Sequence, residues 1–143
     1  LSRQVSHVAI TRGYIKTLLG RKRRFDMWEP RDSWGERAYS LSEAHSQYPK
    51  QELKRAYTHT AMNALIQGSS ADITKSAMIK IYEAGLLDEI DLKLTVHDEL
   101  DFSVEPLKQK CFDESLQIMK TCVDLKVPLK VDVEKGLNWG TIE

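Results

Sequence analysis

Hydrophobic and polar residues alternate most clearly in the stretch DLKLTVHDELDFSV, residues 91–104. Apolar side chains occupy every second position on both sides of a polar break, which is the period of half-buried β-strands. They are Leu92, Leu94 and Val96 before the break, and Leu100, Phe102 and Val104 after it. The break consists of His97, Asp98 and Glu99, so the pattern predicts a β-hairpin with an imidazole and two adjacent carboxylates at its tip.

Helical periodicity and turn residues divide the rest of the chain. A first helix is predicted to end at Gly13, and a turn at Gly20 joins strands at 14–19 and 21–25. Residues 26–35 lack periodicity and are predicted to form a surface loop, and residues 39–48 are weakly helical at best. The other predicted elements are a helix at 50–67, a second helix after a break at Gly68 that ends at Gly85, a helix that begins at Pro106, and an edge strand at 127–133.

This order of elements predicts an α+β fold, in which an antiparallel sheet carries the hairpin and helices pack on one face of the sheet. The helix after Pro106 should cover the hairpin with an apolar face. That face is predicted to contain Leu107, Cys111, Leu116, Met119 and Val123.

Composition excludes several classes of protein. The 143 residues are 41% hydrophobic and 29% charged, as in a globular protein of one domain or part of one. No apolar stretch approaches the roughly 20 residues of a membrane helix, and no signal peptide precedes the first helix, so we expect a cytoplasmic protein without a membrane partner. Cys111 and Cys122 are too far apart along one predicted helix to form a disulfide. Because the chain begins with Leu1 rather than Met, we expect it to derive from something longer.

Charge is distributed unevenly along a chain whose net charge is zero. Residues 1–60 contain 12 Lys and Arg against 6 Asp and Glu, and residues 61–143 contain 9 against 15, so the two parts carry +6 and −6. Four consecutive basic residues, Arg21, Lys22, Arg23 and Arg24, lie on a predicted strand, where they suit contacts with a phosphate backbone. The alternative is a charged edge strand that discourages aggregation.

Two polar sets are candidates for binding chemistry. His59, Asn63 and Gln67 are spaced by four, so a helix would align them in one polar stripe that can reach minor-groove acceptors without reading sequence. The alternative is an ordinary exposed helix face. At the hairpin tip, one His with carboxylates suits magnesium or manganese better than zinc. The alternative there is a solvated turn.

Four segments together resemble the C-terminal part of family A DNA polymerases, the bacterial polymerase I and phage replicative type. They are GYIKTLLGRKRRF at 13–25, HTAMNALIQGSSADITKSAM at 59–78, VHDELDFSVE at 96–105 and GLNW at 136–139. Their order and spacing are much more specific than any one motif. The resemblance implies that residues 1–25 contain the end of the fingers region and a duplex-contacting hairpin, and that residues 26–143 form the C-terminal palm portion of one incomplete polymerase domain.

The resemblance also implies roles for individual residues. Asp98 matches the palm carboxylate that binds the catalytic metals, Glu99 matches its assisting neighbour, and His97 matches a supporting histidine near the primer terminus. Asn63 and Gln67 match minor-groove contacts, and His59 falls where bacterial members usually have Arg and phage members often have His. Residues 21–24 lie in the duplex-contacting segment. The implied partners are primer–template DNA and deoxynucleoside triphosphates, and the implied cofactor is a pair of Mg²⁺ ions, with Mn²⁺ possible.

The sequence departs from the family pattern in two respects. It lacks the second palm aspartate, in a motif close to Asp-Tyr-Ser-x-Ile-Glu, and it lacks the fingers helix that grips the triphosphate. Residues 38–40 echo the first motif without its aspartate. We therefore expect this chain to polymerise DNA only with the missing N-terminal polymerase part, supplied in cis or in trans. The alternatives are a non-catalytic remnant that binds primer–template DNA, and a metal-dependent nuclease that uses Asp98 and Glu99.

Overall fold

The structure, a computed structural model, describes residues 1–32 and 35–142. The described residues form four α-helices, seven strands and four short 3-10 helices, so the predicted α+β class is confirmed. The helices are α1 (Ser2–Arg12), α2 (Leu41–Gln47), α3 (Ala61–Glu83) and α4 (Gln109–Thr121). The strands are β1 (Tyr14–Lys16), β2 (Lys22–Arg24), β3 (Met27–Pro30), β4 (Tyr39–Ser40), β5 (Leu53–Arg55), β6 (Asp91–Val96) and β7 (Glu99–Ser103). The 3-10 helices are Thr58–Thr60, Leu86–Asp88, Pro106–Lys108 and Trp139–Thr141.

The chain divides into two compact units, Leu1–Asp72 and Ile73–Glu143, and the boundary falls within α3. Three small antiparallel sheets are present among the described strands: the hairpin β1–β2, the three-stranded sheet β4-β3-β5 and the hairpin β6–β7. None of the described helices is both long enough and apolar enough to cross a bilayer. The predicted division at residue 25 concerns regions of a polymerase and stays a prediction.

A small apolar core organises the first unit. Val5 and Ala9 of α1 pack with Ile15, Phe25 and Ala61, and all five are buried. Gly13 ends α1 in the left-handed conformation, with φ of 74°, and its N–H donates to the Ala9 carbonyl. This turn feeds the chain directly into β1, so the predicted helix stop and the predicted glycine hairpin are both confirmed.

The predicted surface loop at 26–35 is wrong over residues 27–30, which form the central strand β3. Trp28 pairs with Tyr39 on one side and with Arg55 on the other, and the Arg55 guanidinium lies 4.6 Å from the centre of the Trp28 ring. Pairing with strands distant in sequence therefore overrides the local signals of a loop. Ser33 and Trp34, in the same predicted loop, lie outside the described residues.

The predicted helix at 50–67 is wrong at its start, and so is the predicted break at Gly68. Residues 53–55 form β5, the 3-10 helix Thr58–Thr60 follows, and α3 then runs without interruption through Gly68. A Cβ atom at residue 68 would lie 2.8 Å from Thr17 Cγ2 and 3.3 Å from Arg21 Nη2. The glycine therefore permits a close approach of the β1–β2 turn to the helix, and it does not end the helix.

Ser69 and Asp72 would be the cap and a first-turn residue of a second helix that began after Gly68, but in the uninterrupted α3 they have other roles. The Ser69 hydroxyl donates to the Leu65 carbonyl at 2.7 Å and accepts the Leu18 N–H at 3.0 Å. Asp72 lies in the interior of α3 and is buried. Ala77 and Ile81 are buried, and the left-handed Gly85 after α3 agrees with the predicted helix end.

The second unit contains the predicted β6–β7 hairpin, with an irregularity that the sequence pattern did not indicate. Leu92 pairs with Phe102, but Leu94 pairs with Asp101, so Lys93 is an extra residue in a β-bulge. Residues opposite each other share a face of the ribbon, and Leu92 and Leu94 therefore lie on opposite faces. Leu94 and Val96 are 40% and 38% exposed.

Helix α4 follows Pro106 as predicted and contacts the hairpin through Phe112, whose ring meets Phe102 edge-on at 6.1 Å. Leu107 does not join its apolar face, since it is 93% exposed. The predicted strand at 127–133 is absent from the described residues, where this segment pairs with no other strand. Pro128 removes one backbone donor, and an isolated strand has no partner for its hydrogen bonds. Cys111 and Cys122 are free thiols, as predicted.

Because of the close contact at Gly68, a substitution that usually stabilises a helix should here destabilise the protein. Gly→Ala in a helix interior usually stabilises by about 1 kcal/mol, but Gly68→Ala should lower the free energy of unfolding by about 1–3 kcal/mol, since its methyl group meets a buried side chain. Thermal unfolding followed by circular dichroism measures the change. Thr17→Ser, which removes only the opposing methyl group, should restore stability in the double variant. Equal losses in the single and double variants would contradict the proposed contact.

Candidate functional site

The tip of the β6–β7 hairpin holds the three predicted catalytic residues. His97 and Asp98 form the two-residue turn, and Glu99 begins β7 opposite Val96. All three side chains are exposed. His97 has a φ of 53°, in the left-handed region that side chains other than glycine adopt at a cost of roughly 1–2 kcal/mol. A strained turn that displays three polar groups is typical of a functional site.

The carboxylates of Asp98 and Glu99 are available to a ligand. No hydrogen bond or ion pair engages either side chain among the residues described, and the register places Glu99 on the same face as Asp101. Exposed carboxylate oxygens are the donors that Mg²⁺ and Mn²⁺ prefer. Residues 1–32 and 35–142 contain no group of three or more His, Cys, Asp or Glu side chains that could hold a metal ion. The role of Asp98 and Glu99 as metal ligands stays a prediction.

The basic strand β2 presents its cations in different directions. Tyr14 pairs with Arg24, Ile15 with Arg23, and Lys16 with Lys22. Paired residues share a face, so Lys22 and Arg24 lie with Lys16 and Tyr14 on the face opposite the buried Ile15. The Lys22 ammonium is 4.9 Å from the centre of the Tyr14 ring. This outward face, with Lys16, Lys22 and Arg24, is a compact basic surface.

Lys16 was not among the candidates predicted from the sequence, although the predicted hairpin at Gly20 was a signal for it. The prediction considered only the run of four basic residues on one strand, whereas pairing across the Gly20 turn brings Lys16 opposite Lys22. Arg23 occupies the other face of β2, and its guanidinium lies 5.8 Å from the centre of the Phe25 ring. It remains exposed.

Arg21 is committed to contacts inside the first unit. Its Nε donates to Asp72 Oδ1 at 2.8 Å, and its Nη2 donates to the Gly68 carbonyl at 2.9 Å. Arg21 is 52% exposed and Asp72 only 7%. The guanidinium thus connects the β1–β2 turn to α3, and the predicted contact of Arg21 with DNA stays a prediction.

The pKa of Asp72 reflects these contacts. Burial alone raises the pKa of the carboxyl group, but the interactions with Thr17, with the charged Arg21 guanidinium and with the Leu19 backbone outweigh burial. Of these, the Arg21 Nε bond to Oδ1 has hydrogen-bond geometry, and Oδ2 is buried without a hydrogen-bond partner among the described residues. The net pKa therefore lies below the ordinary value for aspartate. Asp72 stays ionised and keeps the turn attached to α3.

The predicted polar stripe is present with one change in local structure. Asn63 and Gln67 are exposed and lie four residues apart in α3, whereas His59 lies in the 3-10 helix that leads into α3. Met62 and Leu65 of the same helix pack against the core, but Ile66 is 57% exposed. Within the first unit, Gly68 follows Gln67 directly and contacts Arg21, so the β1–β2 turn is attached to α3 beside the stripe.

The candidate residues therefore occur in two sets. Arg21, Lys22, Arg23, Arg24, His59, Asn63 and Gln67 belong to the first unit, and His97, Asp98 and Glu99 belong to the second. Each set has exposed polar groups that a ligand can reach. A basic hairpin beside an uncharged polar stripe suits a nucleic acid backbone and groove, and the carboxylate tip suits a hard divalent cation.

Comparison with known proteins decides the family. The family model for DNA polymerase family A matches residues 1–141. The chain belongs to DNA polymerase family A. It is 43% identical over 128 residues to a DNA-directed DNA polymerase of Pseudomonas phage M6, an alignment that covers 90% of this chain and 15% of the phage protein. It is 37% identical over 138 residues to DNA polymerase I of Synechocystis, which covers 92% of this chain and 13% of that protein.

A solved family A structure also matches the fold. The polymerase domain of Pol1 from M. smegmatis, in complex with DNA primer–template and dNTP, superimposes with a TM-score of 0.70 and 32% identity. The match covers 99% of this chain and 22% of the Pol1 chain. The chain thus spans about a seventh of the two family A sequences compared above. The predicted resemblance to family A is confirmed.

The lowered pKa of Asp72 predicts how stability depends on pH. Because the folded-state pKa lies below the unfolded value, the ion pair contributes fully above about pH 4, and its contribution is lost as the pH falls through the folded-state pKa. Asp72→Asn should lower the melting temperature at pH 7 and flatten the loss of stability below pH 4. Melting temperatures from pH 2 to 7 test this, and parallel profiles for the two proteins would contradict it.

Proposed function

We propose that this chain supplies the C-terminal palm portion of a DNA-directed DNA polymerase, which transfers nucleotides to a primer 3′ end under the direction of a template. The observation that carries the proposal is the exposed, uncommitted pair of carboxylates at a strained hairpin tip in a chain that belongs to family A. The regions proposed from the resemblance are the end of the fingers and a duplex-contacting hairpin in residues 1–25, and palm in residues 26–143.

The donor set at the tip fits a divalent metal ion. Family A polymerases generally use divalent metal ions, and Asp98 and Glu99 offer oxygen ligands suited to Mg²⁺ or Mn²⁺. When bound, two such ions activate the attacking hydroxyl and stabilise the leaving oxygen of an in-line displacement. In this proposal Asp98 is the metal ligand, Glu99 assists it, and His97 lies near the primer terminus. The short turn keeps all three side chains at fixed spacing, which favours catalysis by positioning.

The proposed reaction needs residues that this sequence does not contain. Its 143 residues lack a second palm aspartate and the fingers helix that grips the triphosphate. We infer that an N-terminal polymerase part provides them in cis or in trans. Two carboxylates on one hairpin are an incomplete site for two cations, so the isolated chain should be inactive.

The first unit would hold the DNA. Lys16, Lys22 and Arg24 form a basic face suited to phosphates, and His59, Asn63 and Gln67 offer uncharged donors and acceptors suited to the minor groove. The Pol1 structure, which contains primer–template DNA and dNTP, supports these as the partners of this chain. Such a role belongs in the cytoplasm of a bacterial cell or a phage-infected host.

Reconstitution tests the catalytic role of the tip. The chain, combined with a separately expressed family A fragment that contains the first palm aspartate and the fingers, should extend a labelled primer when Mg²⁺ is present. Asp98→Ala should reduce the extension rate at least a hundredfold, because a metal-binding carboxylate is lost. Asp91→Asn, at the far end of the same hairpin, is the matched control and should retain activity. A folded complex that extends no primer, or an active Asp98→Ala complex, would refute the proposal.

A second candidate is a non-catalytic remnant that binds primer–template DNA, which the missing second aspartate favours. Both candidates predict DNA binding, but only the polymerase predicts metal-dependent extension in the reconstituted complex. The third alternative, a nuclease, predicts Mg²⁺-dependent cleavage of duplex DNA by the isolated chain, and Asp98→Ala should abolish that cleavage.

The basic face predicts a specific salt dependence of DNA binding. Lys22→Ala and Arg24→Ala should each weaken duplex binding and reduce the slope of log K against log salt by about 0.9, the contribution of one phosphate contact. Arg31→Ala removes a cation that is paired with Glu52, and it serves as the charge-matched control with an unchanged slope. Fluorescence anisotropy with a labelled duplex measures the slopes. Equal slopes in all four proteins would exclude the basic face as a DNA contact.

A further inference from the structure

Tyr57 is an aromatic residue in an unusual environment. It lies between β5 and the 3-10 helix that contains His59, and its φ of 61° is in the left-handed region. Its side chain is 49% exposed. Backbone strain persists where the surrounding structure fixes the residue, yet this ring is half in solvent.

The backbone of Tyr57 is held in place from both sides. The Tyr57 carbonyl accepts hydrogen bonds from the Thr60 N–H at 3.0 Å and from the Thr60 hydroxyl at 2.8 Å. The preceding residue, Ala56, is buried, and its N–H donates to the Met27 carbonyl at 2.8 Å. These contacts fix the direction in which the ring leaves the surface, so its exposure is not a consequence of a loose segment.

The ring borders a shallow surface depression that is lined by residues 22–27 and Tyr57. Three cations, Lys22, Arg23 and Arg24, and one carboxylate, Asp26, give these residues a net charge of +2. A positive concavity with an exposed aromatic wall has the two features that bind a nucleotide unit, namely charge for the phosphate and an apolar face for the sugar or base.

Tyr57 also lies between the two candidate DNA-contacting sets of the first unit. The depression includes Lys22 and Arg24 from the basic face, and His59, at the start of the polar stripe, is two residues away from Tyr57. A DNA strand that contacts both sets would pass the ring.

We propose that Tyr57 is a further DNA-contacting residue, whose ring packs against a deoxyribose of the bound strand while Lys22 and Arg24 take the adjacent phosphates. This inference rests on the proposed DNA-binding function. It assigns the depression to the sugar–phosphate backbone, so the contact should be independent of base sequence. The proposal also predicts two separate contributions to the affinity for DNA. The ring carries no charge and contributes by packing, whereas the cations contribute electrostatically.

The experiment measures affinity and salt slope for the 143-residue chain on a labelled primer–template duplex. Tyr57→Gly removes the ring and suits the left-handed backbone, so it should not destabilise the fold. It should weaken binding about fivefold at every salt concentration, the low end of an aromatic–nucleotide contact, with an unchanged salt slope. Tyr57→Phe keeps the ring and should bind as the parent does. Tyr82→Ala removes a tyrosine that is 71% exposed elsewhere and should have no effect.

The outcomes separate this inference from the function on which it rests. If Arg24→Ala weakens binding and Tyr57→Gly does not, the basic face binds DNA and the inference about Tyr57 is wrong. A reduced salt slope in Tyr57→Gly would also overturn it, since the ring would then act by holding a cation against a phosphate. If neither variant changes binding, the DNA surface itself is wrong and the inference fails with it. Equal losses in Tyr57→Gly and Tyr82→Ala would exclude a specific contact.

Discussion

The ion pair between Arg21 and Asp72 is the interaction on which the first unit depends. It joins the turn of a short hairpin to the interior of a long helix, and it does so where a glycine lets side chains of the turn approach the helix closely. A half-exposed arginine fixed by a buried carboxylate is more than a surface ion pair, because the carboxylate depends on it for charge compensation. The neighbouring cations Lys22 and Arg24 owe their outward direction to the pairing of β1 with β2, which places them on the face opposite the buried Ile15.

In the second unit, the polar candidate residues and the packing contacts lie at different ends of the hairpin. Its hairpin places polar groups at the tip, where backbone strain and exposure coincide, and it keeps an aromatic contact between Phe102 and Phe112 nearer the base. Packing thus holds the ribbon at one end and leaves the carboxylates at the other end uncommitted. This arrangement agrees with the proposal that groups from another part of a polymerase complete the site at the tip.

The sequence predicted the elements whose cause is local. The end of α1 at Gly13 and the tip at residues 97–99 follow from short-range periodicity and turn chemistry, and the structure has both. Strand β3 was not predicted, because its pairing partners lie beyond a turn and a helix, and no local pattern marks them. Gly68 was misinterpreted because a close contact and a helix stop require the same residue for different reasons. The candidate site residues came from motif resemblance, whereas Lys16 and Tyr57 needed the register and the backbone angles.

The bulge at Lys93 has a consequence for how the tip tolerates change in chain length. One extra residue in β6 turns Leu94 and Val96 to the face that carries Glu99 and Asp101, and Leu92 and Phe102 share the other face. Without Lys93, Leu92 would still lie opposite Phe102 and Leu94 opposite Asp101, and the strand pairing would be regular. Because Phe102, which makes the aromatic contact, and the tip residue Glu99 both belong to the unbulged β7, loss of Lys93 should leave the tip on the same face relative to that contact. The bulge is therefore the position in β6 at which one residue can be lost without inverting the hairpin.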